Sequence, residues 1–111
     1  MSIVEINNNK LIINTKEVVF DKKIQEIKTV NGVIIVLLTM DGSLDNVYGI
    51  NHNGDVLWKI QEPDKSLIGN NRYPYVGLSV HDNQVSAIDF YGRRLYIDVK
   101  NGEIIGKDIV K

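Results

Sequence analysis

Val30-Asn31-Gly32-Val33-Ile34-Ile35-Val36-Leu37-Leu38-Thr39 joins a tight-turn pair to the longest apolar run in the chain. Asn-Gly is favoured where both central residues of a hairpin need positive φ, because neither residue pays the full steric cost of that conformation. The run Val33–Thr39 that follows is apolar at successive positions instead of alternating, which predicts a central strand buried on both faces.

The same punctuation extends outward in both directions. Asp41-Gly42, Asn53-Gly54, Asp82-Asn83 and Asn101-Gly102 separate short β-branched runs, which is the pattern of successive hairpins. Strands are predicted at 3–6, 11–13, 18–20, 24–30, 33–39, 47–51, 56–60, 75–80, 85–90, 95–99 and 103–110, with Asn7-Asn8-Asn9 as the first turn. No helical period runs for ten residues, although the apolar spacing within 16–28 suits one short helical turn. Residues 61–74, with Pro63, Gly69, Asn70-Asn71 and Pro74, form the longest loop; it is either a plain linker or a functional segment.

The chain also repeats itself. Val47-Tyr48-Gly49-Ile50-Asn51-His52-Asn53-Gly54-Asp55-Val56-Leu57-Trp58-Lys59 aligns with Leu95-Tyr96-Ile97-Asp98-Val99-Lys100-Asn101-Gly102-Glu103-Ile104-Ile105-Gly106-Lys107. Both copies have an aliphatic-Tyr start, the turn, an acid, an aliphatic pair and a lysine. The repeat is about 50 residues long, the size of a propeller blade. With Val33-Ile34-Ile35-Val36 upstream, the first copy resembles a quinoprotein-type β-propeller repeat over residues 30–60. Residues 76–107 match less closely, because Gly106 stands where the tryptophan belongs. The resemblance implies an all-β fold of antiparallel hairpins in two or so propeller-like blades. Residues 1–29 would form a partial blade, 30–60 the first repeat, 61–74 a long loop and 75–111 the second repeat of a single domain. Trp58 would fill the space between adjacent sheets. The ring of a whole propeller takes four or more blades, so the cofactor chemistry of complete family members is not expected and no cofactor is predicted.

Composition narrows function mainly by exclusion. The 111 residues carry a formal net charge of −1, so there is no overall electrostatic drive toward nucleic acid or anionic membrane. There is no cysteine, hence no disulfide scaffold, thiolate metal site or thiol nucleophile. His52 and His81 fall at turns without ligand spacing, and Ser79 and Ser86 sit in plain strand. Asp89 lies between Ile88 and Phe90, and alternation places it on the exposed face. Arg72, Arg93 and Arg94 are interleaved with Tyr73, Tyr75 and Tyr91, a mixture found in nucleic-acid binders, but three arginines do not outweigh the near-neutral total. An enzyme needs a concave polar pocket, and the turn-dominated sequence places none, so the chain is read as non-catalytic. The N-terminus lacks the basic start and apolar core of a signal peptide, which points to a soluble, cytoplasmic protein.

One charge asymmetry remains. Asp41, Asp45, Asp55, Glu62 and Asp64 face Lys59 alone between residues 41 and 64. In size, composition and lack of catalytic residues the chain resembles bacterial immunity proteins that neutralise the toxins of contact-dependent growth inhibition. That resemblance implies a protein partner, a toxin domain such as a basic nuclease. Asp45, Glu62 and Asp64 would steer it and Tyr73 and Tyr75 would anchor it. The alternative is a self-associating, propeller-like scaffold module that covers its open sheet edges with further copies.

Overall fold

The computed structural model describes residues 3–40 and 42–109. Asp41 of the Asp41-Gly42 pair, and Val110 at the end of the expected last strand, lie outside the described residues. The fold is all-β, three antiparallel meanders in chain order. The first sheet contains β1 (Val4–Asn7), β2 (Lys10–Ile13) and β3 (Lys16–Val19). The second contains β4 (Ile24–Val30), β5 (Val33–Leu38), β6 (Val47–Asn51) and β7 (Val56–Lys59). A short helix α1 (Lys65–Ile68) precedes the third sheet, β8 (Tyr75–His81), β9 (Gln84–Asp89), β10 (Arg93–Ile97) and β11 (Ile104–Ile109). Each four-stranded sheet is an up-and-down meander, the connectivity of a propeller blade.

The apolar run sits where its composition requires. All six residues of β5 are buried, and they divide by parity between two cores. Val33, Ile35 and Leu37 pack with Val85, Ala87, Leu95 and Ile97 of the third sheet. Ile34, Val36 and Leu38 pack with Leu11, Ile13 and Phe20 of the first. A period of two therefore fills both cores from one strand.

Trp58 couples the second sheet to the third. Its ring is buried in the larger core, and its Nε1–H donates to the carbonyl of Val99 at 2.7 Å. Two glycines make room for it. A Cβ on Gly49 would lie 2.2 Å from the ring, and one on Gly102 would lie 2.7 Å from it. Nearby, Gln61 N–H donates to the Gly102 carbonyl at 2.9 Å, tying the end of the second sheet to the last turn of the third. At the opposite side, Leu78 N–H of edge strand β8 donates to Glu26 of β4 at 2.8 Å.

Three expectations change. The segment 16–28 contains no helical turn: it forms β3 and the start of β4. A bulge between Ile24 and Glu26 shifts the pleat, so buried Ile24 and half-buried Ile27 fall three residues apart, a spacing that imitates a helix. The first sheet ends at Val19 and not at residue 29, because Ile24–Val30 pairs with β5 across Asn31-Gly32. Lastly, only Asn31-Gly32 among the three Asn-Gly pairs has positive φ at both residues, 50° and 77°. Asn53-Gly54 and Asn101-Gly102 lie in longer turns where Asn51 and Asp98 side chains accept backbone N–H groups.

Candidate partner-binding surface

Residues 61–74 cross from the second sheet to the third, and their conformation is fixed by side chains. Asp64 caps α1, accepting the Ser66 N–H at 2.8 Å, and this bond holds its carboxyl below its ordinary pKa of 3.8. Gly69 closes the single turn, donating to the Lys65 carbonyl at 2.7 Å. Pro63 and Ile68 are buried beneath.

Arg93 at the start of β10 pins the rest. Its Nε donates to Asp89 at 2.8 Å, and its two terminal nitrogens donate to the carbonyls of Ile68 and Asn71, each at 2.9 Å. Asp89 is only 2 % exposed, which corrects the expectation of an exposed carboxylate. It ends β9 and turns inward. One of its oxygens accepts the N–H groups of Tyr91 and Arg93, so it shapes the β9–β10 turn as well as pairing with Arg93. Alternation itself holds: Asp89 continues the buried parity of Val85 and Ala87, and the expectation fails because it sets Ile88 and Phe90 on the inward face, whereas Phe90 is exposed.

On this base stand two aromatic rings, with Phe90 exposed in the same turn as Tyr91. Tyr73 and Tyr91 stack with centroids 5.4 Å apart and planes 12° apart. The Arg93 guanidinium lies 5.5 Å from the first ring and 5.7 Å from the second. Phe90, next along the turn, is 64 % exposed, and Tyr91 is 73 % exposed. Large aromatics this exposed are uncommon unless they meet something.

Among the described residues no group of three or more His, Asp or Glu is placed to hold a metal ion. No helix among them is long and apolar enough to cross a membrane. The family model described as a domain of unknown function, DUF7957, matches residues 1–109. The chain belongs to the DUF7957 family. No curated protein matches it.

The five residues expected to meet a partner fare differently in this DUF7957 chain. Tyr73 is part of the aromatic stack. Tyr75 is 1 % exposed and belongs to the larger core, so it has no ring surface left for a partner; burial also raises its hydroxyl pKa above the ordinary value. Asp45 forms an ion pair with Arg72, whose guanidinium also lies 3.9 Å from Glu62. Asp64 is exposed and committed to its cap. The steering charge expected of Asp45 and Glu62 is therefore largely met within the molecule.

Two residues of this region carry little sequence signal of their role: exposed Phe90 and buried Asn46. Phe90 falls at the end of the strand predicted at 85–90, and only its place beside the Tyr91-Gly92 turn signals exposure. Asn46 is 1 % exposed and bonds three backbone groups: it donates to the carbonyls of Leu38 and Tyr75 and accepts the Tyr75 N–H. It sets where β8 leaves the loop. No local pattern marks it, because its partners are distant in sequence.

Proposed function

We propose that this DUF7957 chain is a non-catalytic protein-binding module whose contact surface is the platform of Tyr73, Phe90 and Tyr91. The observation that carries the reading is the Tyr73–Tyr91 stack held over Arg93 of a nearly buried ion pair, with Phe90 exposed beside it in the turn. Binding energy at interfaces concentrates on Tyr, Trp and Arg, and rings held in place before contact lose little entropy on binding. Arg72, Arg93 and Arg94 each already pair with a carboxylate, which weakens the case for a phosphate-bearing partner.

The sharper form of the proposal is a cytoplasmic immunity protein that neutralises a bacterial toxin domain. With the acids at 45 and 62 engaged by Arg72, the aromatic platform supplies the anchor, and Asp64 remains as exposed charge. The test is co-expression with the neighbouring open reading frame, followed by pulldown and a growth assay. A toxic neighbour that becomes harmless in a stable one-to-one complex supports the reading, provided Tyr91→Ala with Phe90→Ala weakens that complex. A neighbour that is neither toxic nor bound removes the immunity form. A complex indifferent to both substitutions removes the platform.

A further inference from the structure

Although the sequence places no concave polar pocket, the third sheet has one on its outer face. It is a hollow of about 360 Å³, within the range of roughly 300–1,000 Å³ usual for small-molecule sites. Strand register builds it. Ser79 of β8 pairs with Ser86 of β9, which pairs in turn with Tyr96 of β10. Two small hydroxyl residues side by side leave a depression in the sheet surface, bounded by the Tyr96 side chain. Arg94 and Gln84 form further walls, and His81 and Asp82 form the rim at the β8–β9 turn.

The chemistry of the lining defines what fits. Arg94 donates to Asp108 at 3.0 Å, so its charge is met within the sheet, while His81 Nε2 lies 3.3 Å from the Asp82 carboxylate at the exposed rim. Gln84 spends its amide hydrogens on the carbonyls of Val85 and Ile97, which leaves its carbonyl oxygen as the group offered to the hollow. The serine hydroxyls can donate or accept. Arg94 Nε is covered and has no hydrogen-bond partner, the only such buried side-chain nitrogen or oxygen among the described residues. A buried donor left unpaired is costly, so this guanidinium gains from a small turn that brings Nε–H to an acceptor in the hollow.

We propose that the hollow over Ser79, Ser86 and Tyr96 binds a small, uncharged, hydroxyl-rich molecule of one or two sugar rings. Such a ligand offers donors and acceptors in equal measure, matching the serines, Gln84 and Arg94. Its C–H faces suit the Tyr96 ring, and it brings no charge to a site whose one guanidinium is already paired with Asp108. An anion would have to compete with Asp108 for Arg94 and would meet Asp82 at the rim. The rim at His81 and Asp82 lies at the opposite end of β9 from Phe90 and Tyr91, and none of the lining residues belongs to the aromatic platform, so the site stands independently of the protein-binding proposal.

The test is an NMR titration of the ¹⁵N-labelled chain with D-glucose, D-galactose, N-acetyl-D-glucosamine and maltose, alongside D-glucuronate and inorganic phosphate. At least one neutral sugar is expected to give saturable shifts of the Ser79, Ser86 and Tyr96 amides and of Arg94 Nε–H. Ser86→Leu, which fills the floor, and Arg94→Lys, which keeps the charge and removes Nε–H, are each expected to weaken that binding by about tenfold or more. Retained amide shifts in the first two sheets check that the variants fold. No saturation with any neutral sugar overturns the proposal. So does saturation by glucuronate or phosphate alone, or binding unchanged in a folded Arg94→Lys.

Discussion

Trp58 shows how one side chain fixes the distance between two sheets. The ring occupies space that only hydrogen atoms at positions 49 and 102 leave open, and its N–H is bonded to Val99. Gly49→Ala is therefore expected to destabilise the fold by about 1–3 kcal/mol through overpacking, read as a lower midpoint in denaturant. The cost should shrink when the ring is also reduced, so Gly49→Ala with Trp58→Leu should be less than additive. Full additivity would mean that the wedge is not what Gly49 accommodates. Asp64 provides a pH-dependent counterpart. Its folded pKa is lowered from 3.8, so its capping contribution is present above that ordinary value and is lost as pH falls through the lowered one. Amide exchange at Ser66 and Leu67 should accelerate over that acidic range, and Asp64→Ala should remove the dependence. Trp58 was legible as an inter-sheet filler because its size and its Gly-rich context are local. Asn46 was not, since its burial is decided by Leu38 and Tyr75, which only the folded chain brings to it, and Asp89 is concealed by its charge, although it shares the parity of Val85 and Ala87.

At the scale of elements, ten of the eleven strands overlap a predicted apolar run at most of their positions, because hairpin turns declare themselves in Asn, Asp and Gly. The exception is β3, which begins at Lys16, two residues ahead of the run expected there. Bulges were invisible, and they account for the false helical spacing near Ile24. An equivalent bulge recurs between Tyr75 and Gly77 at the start of the third sheet, so the internal repeat extends to an irregularity that the aligned side chains do not show. The segment 61–74 was legible as an unusual loop, but not as a rigid one. Its rigidity has a single main source in Arg93, whose side chain is 11 % exposed and meets Asp89, Ile68 and Asn71 together. Removing one partner of a nearly buried ion pair strands the other charge, so Arg93→Ala is expected to cost about 3–5 kcal/mol and to release the loop. Tyr91→Ala, at an exposed ring, is expected to change stability by only about 0.5 kcal/mol. Hydrogen exchange across 66–73 separates the two: protection should fall in the first variant and persist in the second. Equal protection in both would mean that the loop is held by Arg72 and Asp45 instead.

At the scale of the whole molecule, the question is whether three sheets behave as one folding unit. Each outer sheet has one buried face, and the central sheet supplies the opposing surface to both. Alternate residues of β5 feed the two cores, so neither core can dissolve without exposing one face of the same strand. Ile34 and Ile35 are both fully buried, one in each core. Ile34→Ala and Ile35→Ala are therefore each expected to cost about 2–5 kcal/mol, despite facing opposite ways. The sole tryptophan reports only the interface of the second and third sheets, whereas far-ultraviolet circular dichroism reports all strands. In a cooperative molecule the two transitions coincide, and Ile34→Ala moves the Trp58 signal although its side chain faces the first sheet. If the first sheet were an independent unit, Ile34→Ala would split the transitions and leave the Trp58 midpoint in place. Coincidence is the expected result, because losing the first sheet would bare Ile34, Val36, Leu38 and Ile50 at once, more apolar surface than a separately stable pair of sheets can leave in water.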